Sequence, residues 1–384
     1  MALKIEEFDF SFTDSQVADL KERIDKTRLP NQAISPLLDG WDYDIHFIHV
    51  ESKSPTATPI LLVHGWPGSF YEFKYVIDEL ANPKNSDDQA FHVVVPSLPG
   101  YTFSQSPQER GWSMKDNARI FNKLMVGLGY SEYMCQGGDW GHQVCRYLGS
   151  KFTKNCRRVH VNMCPAPPPK SFMLLQSSWV PASIRDFFLS WLYTPIERML
   201  CQRSLDFGAN GFAYAHIQGT KPATLGWGLM DSPVGHLSWL GEKWMAWSDH
   251  DDPSPTLFDK RGREDQHLSY DILANVSLYW FTESILTSFL PYLENRDWRH
   301  QEFVLSNMTS VSDADCYISV PMGVSSFKFE LAGSTKGMVA KSGNIKFYKE
   351  HSKGGHFAAL DRPQVLLEDI REFYRLSSSG RDPL

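Results

Sequence analysis

The sequence predicts a protein of the α/β class, with a mostly parallel central sheet flanked by helices and an inserted α-helical lid. Two observations support this prediction. Short apolar runs of the buried-strand type alternate with stretches of helical period. A proline-rich boundary, Pro165 to Pro169, then precedes a segment dense in Trp, Phe, Leu and Met. We expect a shortened N-terminal segment packed on the core, a core in two pieces, and a lid between them, at residues 1–40, 41–164 with 300–384, and 165–299.

The elements follow in chain order. Thr13 is expected to cap a helix that extends to about Lys26, with Gln16 completing a capping box. Apolar runs predict strands at residues 44–50, 60–63, 91–95, 133–136, 158–163 and 345–348. Amphipathic spacing predicts helices at residues 71–80, 114–128 and 363–374.

Composition excludes several classes of protein. The 384 residues carry a formal net charge of −7, which argues against nucleic acid as a general partner. No window reaches eighteen apolar residues and the N-terminus has no signal-peptide core, so we expect no stable membrane anchor. The six cysteines include no C-x-x-C pair, and we expect buried thiols in a reducing, cytoplasmic setting.

The most informative stretch is Gln136-Gly137-Gly138-Asp139-Trp140-Gly141. An apolar run precedes it and an amphipathic one follows, which is the layout of a nucleophile elbow. Glycines give the room that such a strained turn needs. Its central residue is Asp139, and a carboxylate nucleophile that attacks carbon leaves an alkyl ester. On these six residues alone, a glycine-rich turn with a solvated aspartate is the equal alternative.

A second motif, His64-Gly65-Trp66-Pro67, follows the apolar run 60–63. In α/β-hydrolases this loop supplies one N–H of an oxyanion hole and the residue after the nucleophile supplies the other, here Trp66 and Trp140. A cis peptide bond before Pro67 is compatible with the turn. We interpret His64 as a hydrogen-bonded structural residue, not a catalytic one.

A third motif lies near the C-terminus, where a glycine pair, Gly354 and Gly355, precedes His356 and an apolar helix start. The loop would let this imidazole reach back over the sheet as a general base. Nucleophile first and histidine last is the chain order expected for this fold.

Together these motifs resemble the microsomal-type epoxide hydrolases, most of all the soluble fungal members. The resemblance extends from about residue 42 to 373 and includes residues 59–73, 94–101, 136–141 and 354–360. It implies that Asp139 is the nucleophile, His356 the base, and Glu330 of Phe327-Lys328-Phe329-Glu330-Leu331 the acid partner. The usual family pattern differs between the Phe and the acid, so Asp313 and Asp315 stay as alternatives.

The resemblance also implies two lid tyrosines that donate to the opening epoxide oxygen. Tyr214, in Tyr214-Ala215-His216-Ile217-Gln218, matches the first, and Tyr292 matches the second. A phenol can donate at neutral pH because its pKa is about 10. The implied activity is addition of water to a small apolar epoxide, giving a vicinal diol without a metal or organic cofactor.

Two alternatives stay open, a dehalogenase that uses the same aspartate and histidine, and a specialised or non-catalytic member of the family. The intact set of Asp139, Glu330 and His356 argues against an inactive site. The stretch after Pro30 is shorter than the family's N-terminal meander, which leaves open whether the chain forms a homodimer.

Overall fold

The computed structural model describes residues 13–28, 43–108, 110–249, 267–295 and 316–378. These residues form a seven-stranded sheet in the order β1-β3-β2-β4-β5-β6-β7, in which β1 is antiparallel to β3 and the other neighbours are parallel. The strands are β1 Phe47–Val50, β2 Thr58–Val63, β3 Phe91–Pro96, β4 Tyr133–Gly137, β5 Cys156–Val161, β6 Ile318–Phe329 and β7 Gly343–Gly355. The predicted mostly parallel sheet is therefore confirmed.

Helices cover both faces of this sheet. Alternate residues of a strand point to opposite sides, so each buried strand contributes apolar side chains to both faces. On β2, Leu61 and Val63 pack in one apolar cluster with the helices that follow β3 and β4, whereas Ile60 and Leu62 pack in another with the C-terminal helix. Outside the lid, the α-helices are α1 Asp14–Asp25, α2 Ile77–Ala81, α3 Met114–Gly127, α4 Asp139–Lys151, α13 Lys336–Val339, α14 Ala358–Asp361 and α15 Pro363–Ser378. Short 3-10 helices span Phe70–Phe73 and Ala340–Ser342.

Between β5 and β6, the regular elements in the described residues are all helices, as the composition predicts. Its α-helices are α5 Lys170–Leu175, α6 Ala182–Leu192, α7 Pro195–Asp206, α8 Ala213–Thr220, α9 Pro222–Asp231, α10 Pro233–Trp247, α11 His267–Phe281 and α12 Leu290–Glu294. A π-helical turn, Phe207–Gly211, follows α7, and a 3-10 helix, Thr287–Phe289, precedes α12. Within the described ranges, no helix combines the length and the apolar character needed to cross a bilayer.

The predicted elements agree with most of these bounds. The capping box of α1 is confirmed, because the Thr13 and Gln16 side chains each accept a hydrogen bond from the other's backbone N–H. The final strand and the final helix are both longer than predicted, and the first strand begins only at Phe47. All six cysteines are buried thiols, as expected.

The helix predicted at residues 71–80 is confirmed only in part, because it is not continuous. The chain instead forms a 3-10 helix, Phe70–Phe73, and then the short α2. The Ser69 hydroxyl accepts the Tyr71 N–H, and Val76 N–H donates to the carbonyl three residues before it, on Phe73, so the turns here are tighter than α-helical ones.

Strand β6 was not predicted at all. Pro321 and the polar pair Ser325 and Ser326 interrupt its apolar pattern. In the folded chain, Ser325 is fully buried and donates a 2.6 Å hydrogen bond to Asp369 of α15. A polar residue satisfied by a distant partner gives no local strand pattern.

Candidate active site

The predicted nucleophile stands at a sharp strand-to-helix turn. Strand β4 ends at Gly137, and Asp139 is the first residue of α4, with a backbone φ of +49° that a non-glycine residue seldom adopts. A Cβ on Gly141 would lie 2.0 Å from the Val63 carbonyl oxygen, which explains the glycine after the elbow. The structure thus forms the nucleophile elbow that the sequence predicts.

The carboxylate of Asp139 is held from below by the turn after β2. Trp66 N–H donates a 2.8 Å hydrogen bond to Asp139 Oδ1, and the Trp66–Pro67 peptide bond is cis. Trp140 is the second residue of α4, so its N–H is among the first-turn groups that have no acceptor inside the helix. Both predicted oxyanion donors therefore belong to backbone next to the carboxylate.

His64 lies beneath this turn and has both ring nitrogens engaged. Its Nε2 accepts the Leu98 N–H at 3.0 Å, so Nδ1–H donates to the Gly65 carbonyl, also at 3.0 Å. Burial lowers the pKa of His64 to about 4, which keeps the ring neutral. These contacts agree with the structural role predicted for this residue.

His356 connects two carboxylates. Its Nδ1–H donates to Glu330 Oε1 at 2.7 Å, and its Nε2 lies 3.4 Å from Asp139 Oδ2. Burial alone would lower the pKa of His356, but Glu330 and Asp139 together raise it well above its ordinary value. The alternative acids, Asp313 and Asp315, lie outside the described residues.

Glu330 is fixed in a buried position immediately after β6. Its Oε1 also accepts the Leu331 N–H at 2.6 Å, and only 2% of the residue is exposed. Arg203 of the lid donates to the backbone carbonyls of Phe329 and Glu330. The predicted acid partner, Glu330, is thus held by its own turn and by the lid.

The two predicted lid tyrosines meet above the nucleophile. Tyr214 stacks on Trp66 with ring centroids 5.1 Å apart, and Tyr292 packs edge-on against Trp66 and Trp140, at 5.8 and 5.0 Å. Burial and the nearby charge of Asp139 raise the pKa of both phenols well above the ordinary value. Both hydroxyls are therefore protonated at neutral pH and can donate.

Comparison with known proteins agrees with this geometry. Residues 31–73 match the family model described as the epoxide hydrolase N terminus, and residues 58–191 match that of the α/β hydrolase fold. The chain is 34% identical over 346 residues to epoxide hydrolase 1 of Sus scrofa, a similarity that covers 87% of this chain and 72% of the relative. The chain belongs to the epoxide hydrolase family.

Two solved structures of epoxide hydrolases are similar to this chain over nearly its whole length. The Aspergillus niger epoxide hydrolase is 30% identical, with a TM-score of 0.69 over 96% of this chain and 95% of that one. The juvenile hormone epoxide hydrolase of Bombyx mori is 29% identical, with a TM-score of 0.73 over 97% and 94% of the two chains. The predicted α/β-hydrolase fold is confirmed.

The sequence did not predict the residues that hydrogen-bond the lid to the turn after β2, which contains Trp66. On α11, Asn275 donates to the Pro67 carbonyl and accepts the Ser69 hydroxyl, both at 2.6 Å, and Tyr279 donates to the Gly68 carbonyl at 2.6 Å. Nothing local in the sequence marks these side chains, because their partners are some two hundred residues away. Asn275 is itself buried, with 1% of the residue exposed.

The lid tryptophans divide into two groups. Trp247 lines the site, with its ring 5.2 Å from His356 and 5.4 Å from Tyr214. Trp179, Trp191 and Trp227, by contrast, are 71%, 74% and 57% exposed.

One further carboxyl lies close to the site. Burial raises the pKa of Glu72 to about 8. The negative charges of Asp139 and Glu330 raise it as well, whereas the positive charge of His356 lowers it.

No group of three or more His, Cys, Asp or Glu side chains arranged to hold a metal ion occurs in the described parts of the chain.

The close approach of Gly65 to the nucleophile gives a test of how tightly Asp139 is held. A Cβ on Gly65 would lie 2.3 Å from Asp139 Oδ1, so Gly65→Ala must displace the carboxylate from Trp66 N–H. We expect a loss of turnover of about 100-fold, the order associated with a misplacement of 1 Å, in a chain that still folds. Steady-state assays with thermal unfolding check this. The control is Gly127→Ala, where the added methyl group meets open space; equal activity of the two variants would contradict the tight placement.

Proposed function

We propose that this epoxide hydrolase opens small apolar epoxides through a covalent ester on Asp139 and releases vicinal diols. The observation that carries the proposal is the placement of one carboxylate. Its Oδ1 accepts the Trp66 N–H, its Oδ2 faces His356, and Tyr214 and Tyr292 lie above it. Such a group can attack carbon while the phenols donate to the oxygen that leaves that carbon.

The first half of the reaction forms the ester. Asp139 attacks one epoxide carbon, the C–O bond of the ring breaks, and Tyr214 and Tyr292 donate to the developing alkoxide. The alkoxide keeps a phenol proton, and the protonated His356, whose charge the two carboxylates stabilise, replaces that proton after the ester has formed. Esterification removes the charge of Asp139, and with it one of the interactions that raise the pKa of His356. The histidine is then a neutral base.

The second half hydrolyses the ester. His356, oriented by Glu330, takes a proton from water, and the resulting nucleophile attacks the carbonyl carbon of Asp139. The N–H groups of Trp66 and Trp140 stabilise the tetrahedral oxyanion, where each such donor contributes about 3 kcal/mol. The ester C–O bond breaks, and the leaving alkoxide takes the second proton of the water from the new carboxyl group of Asp139. The diol leaves, and the Asp139 carboxylate and the protonated His356 are restored.

The aromatic surroundings favour an apolar substrate. Trp66 contacts Trp247 and Phe289 as well as both tyrosines, with ring centroids 6.2 and 6.3 Å away, and these side chains are buried. Apolar walls around a few directed polar groups are typical of sites for small organic ligands.

Isotope labelling tests the ester. With enzyme in excess over a styrene oxide substrate in H₂¹⁸O, we expect the diol of the first turnover to contain no solvent oxygen and the peptide with Asp139 to gain ¹⁸O. This follows because water attacks the carbonyl of Asp139, and the diol keeps an oxygen from the carboxylate. A diol labelled in the first turnover would show direct attack of water on the epoxide. Turnover of haloalkanes but not epoxides in the same panel would favour a dehalogenase.

We propose also that the chain is a cytoplasmic homodimer. Six buried thiols support a reducing compartment. An apolar stripe on α6 supports self-association, because Ile184, Phe187 and Trp191 are 49%, 64% and 74% exposed at helical spacing. Sedimentation of the wild type and of Trp191→Lys measures the oligomeric state, and a monomeric wild type would exclude the homodimer.

A further inference from the structure

The lid is attached to the loop that carries His356. Helix α10 ends at Trp247, whose carbonyl accepts the His356 N–H at 2.9 Å. A Cβ on Gly355 would lie 2.4 Å from the same carbonyl oxygen, so only glycine permits this approach. The position of the catalytic histidine therefore depends on where the end of α10 lies.

Two aspartates complete this attachment. Asp249, two residues beyond α10, accepts the Gly354 N–H at 2.7 Å through Oδ2. Asp361, at the end of α14, uses its own Oδ2 to accept the N–H of Gly355 at 3.1 Å and the N–H of Asp249 at 3.3 Å. Each aspartate is 3% to 6% exposed. The two carboxyl groups thus bind consecutive N–H groups of the segment that leads directly into His356.

The charges around the two carboxyl groups differ. Arg362 donates to Asp249 Oδ2 at 2.6 Å and neutralises it. Within the described ranges no cation forms an ion pair with Asp361. Burial, followed by the charge of Asp249, raises the pKa of Asp361 to about 7 despite the two N–H donors and the charge of Arg362. Glu72 faces the same region and interacts electrostatically with Asp361. Near pH 7, about half of the Asp361 carboxyl groups are therefore neutral. An asparagine can reproduce the oxygen that accepts the two N–H groups.

We propose that Asp249 and Asp361 are positioning residues for ester hydrolysis, a clamp that fixes the loop of His356 between the lid and the core. The inference rests on the proposed function, because it assigns the clamp to the half-reaction in which His356 is the base. The hydrogen bonds of the two aspartates go to Gly354 N–H, Gly355 N–H and Arg362, and between Asp361 and the Asp249 N–H. The clamp therefore acts on the segment that carries His356, and we expect its loss to affect proton abstraction by this residue more than ring opening.

Loss of the clamp should slow ester hydrolysis selectively. Asp361→Ala removes the acceptor for two N–H groups and frees the segment before His356. A shift of about 1 Å in a catalytic group costs on the order of 100-fold in rate. We expect ester hydrolysis to slow by about 30- to 100-fold in single-turnover experiments, while ester formation changes by less than about 3-fold. The ester then accumulates at steady state.

Rescue by a conservative change separates positioning from general stability. Asp361→Asn keeps an oxygen for both N–H groups, so we expect hydrolysis within about 3-fold of the wild type. Asp369→Ala is the matched control, since Asp369 is a fully buried aspartate that binds Ser325 and His351 away from the site. It should lower the melting temperature without a selective loss of hydrolysis. If Asp361→Ala does not fold, Asp361→Ser, whose shorter side chain cannot reach both N–H groups, takes its place.

The two proposals fail in different ways. If the alanine or serine variant hydrolyses the ester at the wild-type rate, or slows both steps equally, the clamp is overturned and the ester mechanism stands. The clamp is also overturned if Asp361→Asn is as slow as Asp361→Ala. If no ester forms on Asp139 in the His356→Gln chain either, the proposed mechanism itself is wrong.

Discussion

Replacing His356 by glutamine is expected to stop the reaction after ring opening and to leave the substrate bound to the protein. The variant keeps Asp139, its contact with Trp66 and both lid tyrosines, which are the groups that form the ester. It loses the base that activates water, and general-base catalysis contributes about 10²- to 10⁴-fold. We expect turnover to fall by about 1,000-fold, with one equivalent of hydroxyalkyl ester on the peptide that contains Asp139. Intact-protein and peptide mass spectrometry measure this adduct.

The matched control is another histidine that packs beside a carboxylate. His351 on β7 binds Asp369 at 2.5 Å, outside the site, and we expect His351→Gln to turn over epoxides without accumulating an adduct. Loss of activity in His356→Gln without any adduct would mean that ring opening also needs the imidazole. An adduct on a peptide other than the one that contains Asp139 would identify a different nucleophile.

The local parts of the site could be predicted from the sequence. The elbow around Asp139, the turn at Trp66 and the glycine pair before His356 each need particular residues at fixed spacing, because backbone approaches backbone within a few residues. Family resemblance supplied Glu330 and the two tyrosines, which no local pattern identifies. The structure places all of these side chains in one group, although their roles as catalytic residues stay predictions until the variants are measured.

The parts that could not be predicted depend on contacts between distant segments. Asn275 and Tyr279 bind the turn after β2 from the lid, and Asp249 and Asp361 bind the loop before His356. Each is a polar residue in an apolar helix or in a turn, and the sequence around it does not show which distant group it binds. Strand β6 was missed for the same reason, since the partners of the buried Ser325, Asp369 and His160, lie on other elements. Hydrophobic period finds segments that bury apolar faces, and it does not find buried polar pairs.

Removing the lid hydroxyls is expected to have the opposite effect from removing the histidine. Tyr214→Phe and Tyr292→Phe keep the rings that pack on Trp66 but lose the donors to the epoxide oxygen. One donor to a developing oxyanion is associated with about 10²- to 10³-fold in rate, so we expect each single variant to form the ester about 100-fold more slowly. The double variant should lose at least about 1,000-fold, since no phenol is then left to donate. Stopped-flow measurement of ester formation gives these rates.

The hydrolysis step distinguishes this explanation from a general disturbance of the site. The phenols do not contact the ester carbonyl in the proposed mechanism, so an ester already formed on a tyrosine variant should hydrolyse at the wild-type rate. Tyr270→Phe, which changes a tyrosine on α11 that is 64% exposed, serves as the control and should change neither step. Equal slowing of both steps in Tyr214→Phe would contradict the assigned donor role. An intact phenol would then be needed for the attack of water as well as for ring opening. The tyrosine variants would in that case no longer affect one step alone, as the histidine variant does.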